Sequence, residues 1–211
     1  HKTEKEVKIE TTLSISAIYI QRILDIQVTW NIQADGTVDI AMDVKRNPIF
    51  PMLPRFGLRL FLPKEMKDVT YYGLGPVESY MDKRRASWHG EFSSPVTDLH
   101  EDYIRPQENG SHYDCDYVTL SSNAGHLLPE RKTSLTAVSG QTFFFNASVY
   151  TEEELTNKAH NYELEECGST VLCLDYRQNG IGSNSCGPQL IEKYRLDETE
   201  FHFELRLKPE A

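Results

Sequence analysis

The sequence predicts an all-β protein of two antiparallel sheets stacked face to face, with few and short helices. Stretch after stretch alternates apolar with other residues, and only one segment carries a helix start signal. The 211 residues are 39% apolar and 10% aromatic, enough for a sizeable core in one large β domain.

The elements follow in order. "VKIETTLSI" (7–15) reads as a first strand. In "LDIQVTWNIQADGTVDIAMDVKRN", Ile26, Val28, Trp30 and Ile32 point one way, "ADG" turns, and Val38, Ile40, Met42 and Val44 return. That pattern predicts an antiparallel hairpin. "RFGLRLFLP" keeps Phe56, Leu58, Leu60 and Leu62 in register. Further strands are expected in "DVTYYG", "HYDCDYVTLSS", "QTFFFNASVY", "STVLCLDYR" and "FHFELRLKP". The single helix candidate is "TEEELTNKAH", where Thr151 and Glu154 have capping-box spacing. From Tyr72 to Pro106 periodicity fades, predicting a long ordered loop region whose aromatics Tyr72, Tyr80, Trp88, Phe92 and Tyr103 need burial. No internal repeat or low-complexity tract interrupts residues 1–211, which are expected to form a single domain.

A net charge of −10 argues against nucleic acid and anionic membrane surfaces as partners. No apolar run approaches the roughly 20 residues of a membrane span, and "HKTEKEVKIE" does not read as a signal peptide. Cys115, Cys167, Cys173 and Cys186 lack zinc spacing and read as free, mostly buried thiols; no cofactor is implied. The sequons at Asn109 and Asn146 are expected to be chance occurrences.

Three constellations carry candidate chemistry. His112, Asp114 and Asp116 share a strand face by the period of two and could ligate a metal; a solvated face is the commoner reading. Glu78, Asp82 and Glu108 could supply paired carboxylates for glycoside hydrolysis. The favoured alternative is that they cap loop N–H groups or pair with Arg84, Arg85 and Arg105. Gly180, Gly182 and Gly187 superficially suggest a phosphate loop but lack its lysine and strand–loop–helix setting. Cys186 has no neighbouring base or helix N-terminus to activate it as a nucleophile.

Four stretches together resemble one family. "YYGLGPVESYMDKRRAS" (71–87), "DYIRPQENG" (102–110) and "DYRQNGIGSNSCGP" (175–188) are similar to the Y-G-x-G-P-x-E-x-Y-x-D-R, Y-I-x-P-Q-E-N-G and D-x-x-Q-x-G-[IV]-G-x-x-S-[WC]-G segments of the C-terminal domain of bacterial β-galactosidases of glycoside hydrolase family 2. "PRFGLRLFLP" (54–63) resembles the strand before the first of these. The resemblance implies a galactose-mutarotase-like supersandwich lacking its N-terminal strands, whose exposed edge would favour self-association.

It also implies that the catalytic carboxylates lie in a separate (β/α)8 barrel, so no catalytic residue is expected here and the isolated chain should be inactive. The implied partners are that barrel, the other domains and a galactoside such as lactose, in a bacterial cytoplasm or periplasm. The loop at 179–187 is expected to line the sugar site, with Cys186, Asn184 and Ser185 beside the substrate. Many members carry tryptophan where Cys186 stands, so the thiol offers less stacking area. Gly73, Gly75, Pro76, Glu78, Tyr80, Asp82, Arg105, Glu108 and Asn109 are expected to hold the loops, the glycines by adopting unusual backbone angles and Arg105 by pairing with Glu108. Two alternatives stay open: a mutarotase using Glu108 with His100 or His112, or a carbohydrate-binding module with an aromatic platform.

Overall fold

The computed structural model describes residues 5–122, 132–182 and 189–210. Ten antiparallel strands hold about half of these residues and nearly all of the regular structure: β1 (Glu6–Ile15), β2 (Leu24–Gln33), β3 (Val38–Arg46), β4 (Arg55–Pro63), β5 (Asp68–Gly75), β6 (Trp88–Pro95), β7 (His112–Ser121), β8 (Ser134–Ser148), β9 (Ser169–Gln178) and β10 (Glu200–Glu210). The all-β expectation holds.

The main path runs β1-β2-β3-β10-β8-β7-β5-β6, with β9 and then β4 branching from β8. The branch arises because β8 is 15 residues long. Its first part pairs with β10, its last part pairs with β9, and β7 runs beside both. The two layers are therefore hydrogen-bonded into one continuous sheet. They meet through the predicted apolar faces: Phe56 of β4 lies edge-on to Phe201 of β10 at 5.0 Å, and Tyr176 of β9 stacks on Phe201 at 4.7 Å. The core between them includes Ile26, Val28, Ile40, Met42, Leu172, Leu174, Phe203 and Leu205.

The β2–β3 hairpin forms as its alternation requires, with Gly36 at φ 88° in the turn. The helix is α1 (Glu152–Asn157), capped by the Thr151 hydroxyl accepting the Glu154 N–H. Glu154 does not close the box: its carboxylate accepts from the Glu165 N–H and pairs with Lys158. Among the described residues no helix is long and apolar enough to cross a membrane.

Three expectations need correcting. The predicted loop region of 72–106 contains β6, an edge strand that among the described residues pairs with β5 alone, and the full end of β5. Tyr80 is buried there, but Trp88 keeps 59% of its surface, resting edge-on against Phe92. Second, Gly73 and Gly75 have no left-handed backbone angles. They sit in β5 where a Cβ would strike the Cys115 sulfur and the Tyr71 hydroxyl, so close approach is their role. Third, β7 bulges twice between His112 and Tyr117, and Asp114 takes φ 57°. The bulges break the period of two that would align His112, Asp114 and Asp116.

Candidate functional site

At one end of the sheet three of the sequence motifs come together. After the cis Gly75–Pro76 peptide bond, Glu78 turns into the protein and is only 5% exposed. Its carboxylate accepts hydrogen bonds from the Gly110 N–H at 2.8 Å, from Tyr103 and from Lys83. Burial alone would raise its pKa, but Lys83, Tyr103 and the Gly110 amide together hold it below the usual carboxylate range. Gly110 can present that amide because it occupies the left-handed region at φ 69°. Asn109 completes the turn, accepting from the Glu101 N–H and donating to the Gln107 carbonyl.

Asp82, from the same segment as Glu78, reaches the third motif. Its two carboxylate oxygens accept the N–H groups of Ile181 and Gly182, each at 2.9 Å. Asn179 fixes the chain just before: it donates to Leu53 O at 2.7 Å and accepts from Leu196 N–H at 2.6 Å. A cleft of about 590 Å³ opens beside these contacts, lined by Pro54, Arg55, Gln107, Glu108, Gln178 to Gly182 and Gln189 among others. Its described lining holds no aromatic ring. Met52, Pro54, Ile181 and Leu190 make much of that lining apolar, with the amide, carboxylate and guanidinium groups of Gln107, Gln178, Asn179, Glu108 and Arg55 set among them.

Behind the cleft lies a charge network centred on Arg55, at the start of β4. Arg55 donates to Glu108 at 2.9 Å and to Asp175 at 2.5 Å, with Glu152 at 3.4 Å. Gln178 also donates to Asp175, and the Tyr80 hydroxyl donates to Glu108. Arg59 takes up Glu152, which the Cys173 thiol also meets at 3.0 Å. Arg55 is then shared between Asp175 and Glu108, and one cation cannot neutralise both. Burial, with Asp175 and Glu152 nearby, accordingly pushes Glu108 up to about 7 against the pull of Arg55. Glu108 lines the cleft together with Arg55 and Gln178, its side chain 34% exposed.

Glu78 and Asp82 thus cap backbone amides, whereas Glu108 takes the side-chain donors of Arg55 and Tyr80; the ion-pair partner of Glu78 is Lys83 and that of Glu108 is Arg55. Arg105, expected to pair with Glu108, is exposed. Cys186, Asn184 and Ser185 lie outside the described residues, as do Gly187 and the end of that motif. His112 is buried, stacks on Phe145, and places its ring nitrogens on the carbonyls of Gly110 and Pro76. His100 packs on Tyr150, and neither histidine lines the cleft with Glu108. Asp114 pairs with His89, and no described cluster of His, Cys, Asp or Glu is arranged to hold a metal. Cys115 and Cys173 are buried free thiols, whereas Cys167 is exposed. The sequon residues Asn109 and Asn146 are both buried, and Asn146 donates to the Asn109 carbonyl. Arg55 itself was not among the residues singled out from sequence.

Comparison with known proteins agrees with the converging motifs. A family model described as "Beta galactosidase small chain" matches residues 1–207. The β-galactosidase of Actinobacillus pleuropneumoniae is 42% identical over 200 residues, covering 95% of this chain and 19% of that protein. That of Staphylococcus xylosus is 41% identical over 207 residues, covering 98% and 20%. A third, from Lactococcus lactis, is 35% identical over 180 residues, covering 85% and 17%. The chain spans about a fifth of the length of the curated relatives it matches. It belongs to the β-galactosidase small-chain family.

Proposed function

We propose that this chain is an accessory module of a family 2 β-galactosidase that completes the wall of the sugar site for hydrolysis of terminal β-D-galactosides such as lactose. The observation that carries the reading is that segments 107–110 and 178–182 border one cleft while 76–82 is bonded to both of them, through Glu78 to Gly110 and through Asp82 to Ile181 and Gly182. The carboxylates of buried Glu78 and exposed Asp82 are spent on holding backbone amides, which is the work of a scaffold for a loop. Asp82 fixes the backbone of Ile181 and Gly182, the last described residues before Asn184, Ser185 and Cys186 in the chain. The acid/base and nucleophilic steps belong to a catalytic (β/α)8 barrel supplied by the rest of the enzyme.

The test is steady-state hydrolysis of a nitrophenyl β-galactoside and of lactose. The isolated chain is expected to turn over neither. In the enzyme assembled from this chain and the rest of the β-galactosidase, Asp82→Ala is expected to lower kcat/KM roughly ten- to a hundredfold through misplacement of the loop. Its thermal midpoint should stay within a few degrees of the unsubstituted enzyme, because Asp82 is exposed. Turnover by the isolated chain, or an unchanged kcat/KM in the variant, would overturn the proposal.

A further inference from the structure

The cleft beside the 178–182 segment holds a carboxylate that the fold uses only in part. Glu108 Oε2 accepts from Arg55 at 2.9 Å, but Oε1 has the Tyr80 hydroxyl alone, at 3.4 Å, where a hydrogen bond is weak. A carboxylate offers about four acceptor positions, so Glu108 borders the cleft with capacity to spare. Gln107 and Gln189 also line it, and their side-chain amides make no hydrogen bond among the described residues. Glu108 is nevertheless fixed in place, because its partner Arg55 is itself bonded to Asp175, which also takes Gln178. The group is set before any ligand arrives.

Charge narrows what that ligand can be. Arg55 and Arg59 answer four carboxylates, those of Glu108, Asp175, Glu152 and Glu153. An anion would enter beside carboxylates already in surplus, and a cation would enter beside the guanidinium of Arg55. A neutral ligand escapes both penalties. It must donate to Glu108, exchange hydrogen bonds with Gln107 and Gln189, and cover the apolar wall of Met52, Pro54 and Leu190. A pyranose ring meets all three needs, with hydroxyls that donate and accept around its rim and C–H groups on its faces. The cleft volume of about 590 Å³ falls within the range of roughly 300–1,000 Å³ usual for small-molecule sites.

We propose that this chain binds a neutral pyranose in the cleft by itself, Glu108 accepting from one ring hydroxyl, Gln107 and Gln189 holding its neighbours, and Pro54 and Leu190 meeting the C–H face. This rests on the reading of the cleft as part of a sugar site but requires no barrel, so the two can fail separately.

Titration of the chain with methyl β-D-galactoside and methyl β-D-glucoside at pH 8, followed by amide chemical shifts, tests it. Glu108 is then mostly ionised, since burial pushes it up to about 7 and no further. At least one glycoside is expected to shift the amides of Gln107, Glu108 and Asn179 to Gly182, with a Kd of about 1–30 mM in the absence of aromatic stacking. Glu108→Gln should weaken binding about tenfold and leave the unliganded spectrum otherwise intact, because Arg55 keeps Asp175. Gln107→Ala, at an exposed position, should weaken it about threefold. Galacturonate, the same ring carrying a carboxylate, should bind at least about fivefold more weakly than the galactoside. The absence of those shifts at about 100 mM of either glycoside would overturn the proposal. So would undiminished affinity in both variants, or tighter binding of galacturonate, which would assign the cleft to anions. Shifts in the cleft, combined with enzyme activity indifferent to Asp82→Ala, would sink the loop reading and leave this one standing. No shifts, with kcat/KM lowered in Asp82→Ala, would sink this one alone.

Discussion

The two flanks of β4 face opposite conditions. Its first residue, Arg55, stands in a charge network where Asp175, Glu108, Gln178 and Tyr80 find partners within this chain. Farther along, Leu58 borders a cavity whose other wall, Leu13 and Ile15, is half exposed. Removing one member of a satisfied buried charge network strands the others, whereas trimming a half-exposed apolar side chain strands nothing. The stability of the isolated chain should therefore be concentrated at the Arg55 end, with little of it along the β1–β4 flank.

The largest expected effect comes from Arg55→Met. It would leave Asp175, whose side chain is 4% exposed, without its cation, at a cost of about 3–5 kcal/mol in urea unfolding. A loss near zero would dissolve the contrast between the flanks.

Next comes the response to acid. Burial keeps the His112 imidazole neutral, its pKa lowered to about 4 from 6.5 despite hydrogen bonds at Pro76 and Gly110 and the nearby charge of Glu78. As pH falls through 6.5 the unfolded chain gains a proton there that the folded chain refuses until about 4. The folded state thus binds fewer protons in that window and is destabilised by acid, by about 3 kcal/mol in full. Glu108 acts in the opposite sense, because its raised pKa of about 7 makes the folded state bind more protons between 4.5 and 7. The informative quantity is a difference: stability between pH 7 and pH 4.5 should fall less in His112→Phe than in the unsubstituted chain. An identical slope would show that His112 takes up its proton in the folded state.

The smallest effect is expected from Leu13→Thr, within about 0.5 kcal/mol in the isolated chain. A loss of several kcal/mol would mean that the β1 flank is already packed.

Much of the fold was legible because alternation is a strong signal wherever one face is buried. The β2–β3 hairpin and β10 bury most of the residues their patterns nominate, with Trp30, Val38 and Phe201 half-buried and Ile32, at the end of β2, exposed. Strand β6 was not legible: "WHGEFSSP" is an exposed edge with glycine and serine among its alternating positions, so burial imposes little pattern on it. The His112 row misled because bulges in β7 break a period that sequence cannot show breaking. At the candidate site, Asp82 and Glu78 were marked by their motif, but their partners were not. Arg55 meets Glu108 and Asp175 across 53 and 120 positions of chain, and nothing local encodes such pairings. One usable signal did exist. Gly57 interrupts an otherwise alternating strand, and in the structure β4 bulges there, with no room for a Cβ beside Asp175.

Strand β8 carries a consequence for how the molecule can be divided. Because the same 15 residues serve both layers, no cut between the layers spares it, and neither half would retain a complete set of hydrogen-bonded neighbours. The sheet behaves as a single folded-over fabric, whose halves cannot part like pages.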